Sequence, residues 1–359
     1  MNECKEKYIL PKTDILLEKS DSNLEYLEDI TKRIRKFGRE IEIIDINITP
    51  TSVRYVITSS KLVNVVRFVK ETKELEYILC VGHIEVNILK SQAKTLEIIF
   101  NNPKKIDIPL DKFVMSKSLK KLDIFLGLYD NGTNACIDLR KYNSIVVTSL
   151  NDIKTFNCLN TMLISLILKH TPNDLELIIM DTKVTEFLDY DNLPHVSSKI
   201  ISNYKVIDTL IDIVNYMDSI LTKINEKGYN DIKGYNKNEN NKIKEIVVVL
   251  NDMDLLIYEN SDMLYNLLKT ITTNGKKLGV YLICSLNYIN SDKFIRSSFY
   301  ENSILVSLDY FNNESNQYKD FIKDAGYIWN RYNKKIVRFS PAIISLDQSR
   351  RIIEYWKNL

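Results

Sequence analysis

SIVVTSLNDIKTFNCLNTMLISLILKH, residues 144–170, is the stretch whose reading decides the fold class. It opens on an apolar, β-branched run, the pattern of a strand buried on both faces. Over 154–169, Phe156, Leu159, Leu163, Leu166 and Ile167 share one side of a 3.6-residue period, so the strand is predicted to turn directly into a helix. The alternation continues downstream. LELIIMD (175–181), EIVVVLND (245–252), VYLICSLN (280–287) and SILVSLD (303–309) read as further buried strands, with helices expected over 204–224 and 261–273. Strands alternating with helices predict an α/β core with a doubly wound, mainly parallel sheet.

The flanks read differently. GYIWN (326–330) and KKIVRF (334–339) form a hairpin closing the sheet, and a last helix starts after Ser345, with Gln348 placed for a capping box. Residues 225–245, rich in Asn and Lys, are expected to form a flexible surface loop. Toward the N-terminus, 1–20 is an extended lead-in broken by Pro11. A helix is predicted at 23–37, strands at 40–48 and 52–58 joined through Thr49-Pro50-Thr51, a helix over 61–78, and strands at 83–89 and 95–100. The expected division is therefore a lead-in (1–20), a small α+β domain (21–118) and the larger α/β domain (119–359).

The composition, 45% hydrophobic and 27% charged, is that of an ordinary globular chain, and the net charge of +2 neither demands nor excludes nucleic acid. The five cysteines and three histidines are scattered and form no metal-binding spacing, so no metal site is expected and the thiols are expected reduced. No apolar run is long enough for a membrane helix, and the expectation is a soluble, cytoplasmic protein.

Ligands of such a sheet bind beyond the carboxyl ends of its strands. After Val147 stands TSLNDIKT (148–155), where a phosphate-binding P-loop would read G-x-x-x-x-G-K-[ST]. Lys154 and Thr155 stand at the lysine and hydroxyl places, whereas Thr148 and Ile153 replace both glycines. A β-branched side chain resists the backbone conformations that let glycine wrap phosphates. Thr148, Ser149, Ile153, Lys154 and Thr155 are thus the candidate nucleotide-binding residues; the plain alternative is a strand–helix turn with a first-turn lysine. At the next strand end a magnesium-binding carboxylate would be expected, but Asn251 stands there, followed by Asp252 and, nearby, Asp254. Asn287 ends a further strand where a γ-phosphate sensor could lie. Solvated strand-end residues are the alternative for all of these. KRIRKFGR (32–39) is a basic cluster that could touch DNA phosphates or be a solvated helix face, and His195 reads as a packed loop residue.

Over nearly its whole length the chain resembles the FtsK/SpoIIIE family of DNA translocases. NTMLISLILKHTPNDLELIIMDTKVTEFLDYDNLPHV (160–196), GYNDIKGYNK (228–237) followed by EIVVVLNDMDLL, and LGVYLICSLN (278–287) are similar to successive family segments. YILPKTDILL (8–17) and ITPTSVRYVI (48–57) are similar to its small pre-motor domain. The resemblance implies a RecA-like motor core, ATP and Mg²⁺ as cofactors if the site works, and hexameric rings on double-stranded DNA. The departures lie at the chemistry: the lost glycines, Asn251, Asn287 in place of a glutamine, MDSIL (217–221) in place of paired arginines, and Ser303 or Ile304 in place of another arginine. In a gap-free alignment Thr155 and Phe156 take the lysine and serine places. Three readings follow: a pseudo-ATPase acting as an oligomeric DNA-binding or assembly subunit, alone or in a mixed ring with an active paralogue; a working translocase using Lys154, Thr155 and Asp252; or a non-enzymatic scaffold.

Overall fold

The structure, a computed structural model, describes residues 8–11, 25–38, 40–90, 94–103, 122–182, 186–197, 205–286, 303–309, 324–330 and 335–359. Two sheets organise it. The smaller has the order β1 (Ile41–Ile48), β2 (Ser52–Ser59), β4 (Thr95–Asn101), β3 (Ile84–Ile88), all antiparallel. Helices α1 (Glu25–Phe37), α2 (Leu62–Lys70) and α3 (Thr72–Leu79) cover one face through Ile34, Phe37, Phe68 and Leu75. The single helix expected over 61–78 is two, broken at Glu71, whose ψ of 34° leaves the helical range.

The larger sheet has nine strands. β11 (Ile304–Ser307), β7 (Ser144–Thr148), β10 (Val280–Leu286), β9 (Glu245–Asn251) and β8 (Leu175–Asp181) lie side by side in that order and run parallel. Beyond β11, the sheet continues antiparallel through β12 (Gly326–Asn330), β13 (Lys335–Pro341), β5 (Asp123–Leu128) and β6 (Asn134–Asp138). The β5–β6 hairpin was not legible as strands, and it makes the sheet more mixed than mainly parallel.

Both faces are covered, and successive strand residues serve opposite faces. Val247 and Val249 pack with α5 (Asp152–Ile167) and α9 (Leu346–Lys357), after the short α4 (Leu139–Tyr142). Ile246, Val248 and Leu250 pack with α6 (Val206–Glu226), α7 (Ile232–Asn238) and α8 (Asp254–Leu278). The continuous apolar runs follow from this double covering. Helix α5 is buried all round from Cys158 to Ile167 rather than on one face. Its second side is covered by β5, where Ser165 Oγ accepts from Phe125 N–H (3.2 Å), and by α9, whose Trp356 Nε1 donates to the Ile167 carbonyl (3.1 Å). The capping box of Ser345 and Gln348 starts α9 as expected.

The expectation of a flexible loop over 225–245 is corrected: α7 lies within it. Asp231 caps α7 by accepting from Gly234 N–H (2.7 Å), and Ile232 and Tyr235 anchor it in the core. Few apolar residues suffice because two of them are fully used.

The two sheets meet at β13. Arg338 reaches Glu85 of β3 (2.6 Å) and Asp130 (2.9 Å), while Ser52 Oγ donates to Asp130 (2.6 Å). Asp130 sits in the β5–β6 turn, so that hairpin serves as the bracket between the sheets.

His195 is a packing residue. Its ring meets Trp356 edge-on at 4.6 Å, Nε2 donates to the His170 carbonyl (2.8 Å), and Nδ1 is buried with no hydrogen-bond partner among the described residues. Burial lowers its pKa from 6.5 to about 4. The folded state therefore prefers neutral His195. The associated stability is complete above about pH 6.5 and is lost as the pH falls through about 4, for a total of about 3 kcal/mol. Urea titrations across that window should show the loss, and His195→Gln should flatten it.

Candidate nucleotide edge

β7 carries Thr148 to its last position, buried and paired with Leu286 and Ser307, so Thr148 belongs to the strand and not to the turn. The turn proper is only Ser149, Leu150 and Asn151. Asn151 is the helix cap: its Oδ1 accepts from Lys154 N–H (3.2 Å). Leu150 and Ile153 point outward, 76% and 71% exposed, where a glycine loop would present bare backbone.

The centre of the turn holds a carboxylate. Asp309, two residues past the end of β11, accepts from Ser149 Oγ (2.8 Å) and from Leu150 N–H. Lys154 Nζ lies 3.6 Å from Asp309 and 3.0 Å from Asp324. Asn151 N–H donates to Ser149 Oγ (3.0 Å), and Thr155 gives its N–H (3.1 Å) and its hydroxyl (3.3 Å) to the Asn151 carbonyl. A strand–turn–helix edge binds anions through free N–H groups and a nearby cation. Here those donors and Lys154 are already engaged by acceptors of the chain, two of them the carboxylates of Asp309 and Asp324. Asp152, in the first turn of α5, adds further negative charge. The turn as it stands does not fit a magnesium nucleotide.

Two strands across, a second cluster closes the same edge. The register sets Ser285 of β10 level with Val147 of β7 and beside Asn251 of β9. Asn251 is 1% exposed and fully bonded. Its Nδ2 donates to Asp181 (3.0 Å) and Glu186 (2.7 Å), and its Oδ1 accepts from Ser285 Oγ (2.7 Å). The amide thus stands between two carboxylates where it supplies the donors that a third carboxylate could not. Asp252 follows with a φ of 55°, its N–H donating to Ser285 Oγ (2.8 Å), and Thr182 Oγ1 donates to its carbonyl (2.9 Å). Among the described residues no group of three or more His, Cys, Asp or Glu gathers to hold a metal. Asn287 lies outside the described residues.

The structure therefore brings Ser149, Lys154 and Thr155 to one turn and Asn251 and Asp252 to the same sheet edge. It adds residues that the sequence reading missed: Asp309, Asp324, Asp181, Glu186 and Ser285. A signal existed, because Asp181 and Asp309 end two of the quoted strands. Ser303 hydrogen-bonds Ser144 (2.8 Å) inside the core and presents nothing to the edge.

Strand order, covering helices and a strand–turn–helix edge of this kind define the RecA-like P-loop ATPase motor fold. Solved structures agree. The pCW3 conjugation coupling protein TcpA, in a monomer form with ATPγS, superposes with a TM-score of 0.60 at 15% identity, covering 93% of this chain and 99% of that one. The cytoplasmic domain of the type VII secretion ATPase EccC of Thermomonospora curvata does so with 0.57 at 18%, covering 72% and 33%. Residues 154–290 match the FtsK/SpoIIIE family. The chain is also similar to DNA translocase FtsK: 22% identical over 278 residues to that of Caldanaerobacter subterraneus subsp. tengcongensis (76% of this chain, 38% of the relative), and 25% over 264 to that of Clostridium acetobutylicum (69% and 34%). The matches span little more than a third of those relatives. No helix among the described residues is long and apolar enough to cross a membrane.

Proposed function

We propose that this chain keeps the translocase motor fold but does not run on ATP, and serves as a DNA-binding or assembly subunit in an oligomer, either of itself or mixed with an active paralogue. The observation that carries this reading is Asp309, whose carboxylate takes the Ser149 hydroxyl and the Leu150 N–H and lies beside Lys154. A phosphate entering the turn would meet an anion in its place. The amide of Asn251 supports the same reading, since it satisfies Asp181 and Glu186 without a cation. The exposed pair Leu150 and Ile153 suits a contact with a neighbouring subunit better than a contact with phosphate. Double-stranded DNA as the partner is carried over from the FtsK relatives.

Calorimetry tests the nucleotide half. Titration of ATP with magnesium into the protein is expected to give no binding heat. Micromolar binding that is lost in Lys154→Ala would sink the proposal.

A further inference from the structure

We infer that the cleft at the opposite, amino-terminal edge of the large sheet is a binding site for the phosphodiester backbone of nucleic acid; the inference rests on the DNA-binding reading above. The cleft, about 680 Å³, is formed by α7, the residues leading into β9 and the end of α8. Six cationic side chains line it against three acidic ones, a local excess of three on a chain whose total is +2.

The three acids are spent locally. Glu245 holds Arg140 through two hydrogen bonds (2.9 and 2.6 Å) and accepts from Tyr281 OH (3.1 Å). Asp231 caps α7, and Asp174 accepts from the Thr171 hydroxyl (3.0 Å). Lys276 is held on the Lys141 carbonyl (3.3 Å). Lys233, Lys237, Lys242 and Lys277 are exposed and form no ion pair with any described residue. Lys237 and Lys277 sit in last turns, where a cation also complements the helix dipole. Lys233 and Lys242 have no such role.

The platform beneath these lysines is built rather than loose. Asn236 ties the chain ahead of β9 to α7, donating to the Ile243 carbonyl (2.7 Å) and accepting from Ile243 N–H (2.8 Å), which holds the backbone that carries Lys242 and Lys237 to the same cleft. Gly279, at φ 74°, ends α8 directly under α7, and a Cβ there would stand 2.6 Å from Ile232 Cδ1. Glycine thus allows both the left-handed turn and the close approach that sets Lys277 facing α7. Tyr235 and Tyr281 are each 2% exposed, so the cleft offers no aromatic face for a base. Lysine point charges without a stacking surface suit phosphates of a polymer, contacted without regard to sequence.

The test uses the full chain, fluorescence anisotropy with a mixed-sequence duplex, and salt between about 50 and 200 mM. The triple variant Lys233→Ala, Lys237→Ala, Lys242→Ala is expected to weaken binding by about tenfold or more and to flatten the log–log salt dependence by about 2 to 3. The control variant Lys32→Ala, Arg35→Ala, Lys36→Ala on α1 is expected to stay within about twofold of the parent. Should the triple variant fail to fold, each single substitution is expected to lower the slope by about 0.9. Duplex binding that is unchanged in the cleft variants overturns the inference and leaves the DNA-binding reading standing. Wild-type protein that ignores the duplex at every concentration and oligomeric state overturns both. Binding of inorganic tripolyphosphate without the duplex also overturns the inference, and assigns the cleft to small phosphates.

Discussion

Purified protein is expected to hydrolyse ATP no faster than the buffer background, with or without a long duplex. The argument rests on how many groups are missing at once. Losing one preorganised donor at a transition state costs a factor of about a hundred to a thousand, and losing an arginine finger about a thousand or more. Here the Leu150 N–H and the Ser149 hydroxyl are bound to Asp309, Lys154 faces Asp309 and Asp324, and Asn251 stands at the magnesium position. Ser303 and Ile304, one or the other standing in place of an expected arginine, are both buried in the core. These factors compound to nothing measurable. Turnover of about one per second or faster, abolished by Lys154→Ala, would show that the edge rearranges around nucleotide and would restore the working-translocase reading.

The second large effect is on stability. Asn251→Asp, the substitution that a simple reversal of the site would call for, is expected to destabilise the fold by about 3 kcal/mol or more in buffer containing a chelator. The change removes the amide donor to Asp181 and Glu186 and sets a third carboxylate against them at a position 1% exposed. Like charges this close raise one another's pKa and cannot all ionise. Urea denaturation measures the loss directly. A variant as stable as the parent would mean that Asp181 and Glu186 do not depend on the amide.

Most of the fold was legible because its strands are buried on both faces, and double burial writes itself as unbroken apolar runs such as Ile246–Leu250. The β5–β6 hairpin was not, because Gly127, Asn131 and Gly132 interrupt runs too short to register as strands. Helix α7 was hidden for the opposite reason: Ile232 and Tyr235 are the anchors in a stretch otherwise made of Asn, Lys and Gly, so composition outweighed period. At the candidate site, the positions along single segments were readable, from Ser149 to Thr155 and at Asn251 and Asp252. Their partners were not. Asp309 reaches Ser149 across 160 positions of sequence, and Asn251 reaches Asp181 across 70. Local patterns say which residue ends a strand, whereas parallel order decides which ends become neighbours.

The carboxylate of Asp309 has an evolutionary consequence. Glycines restored to the turn while Asp309 remains would still face an occupied anion site. Asp309 removed while Leu150, Asn151 and Ile153 remain would leave Ser149 and Leu150 without their acceptor and gain no phosphate cradle. If the chain does not use ATP, as proposed above, each single step toward an ATP site is unrewarded, and the edge acts as a ratchet once both changes have been made.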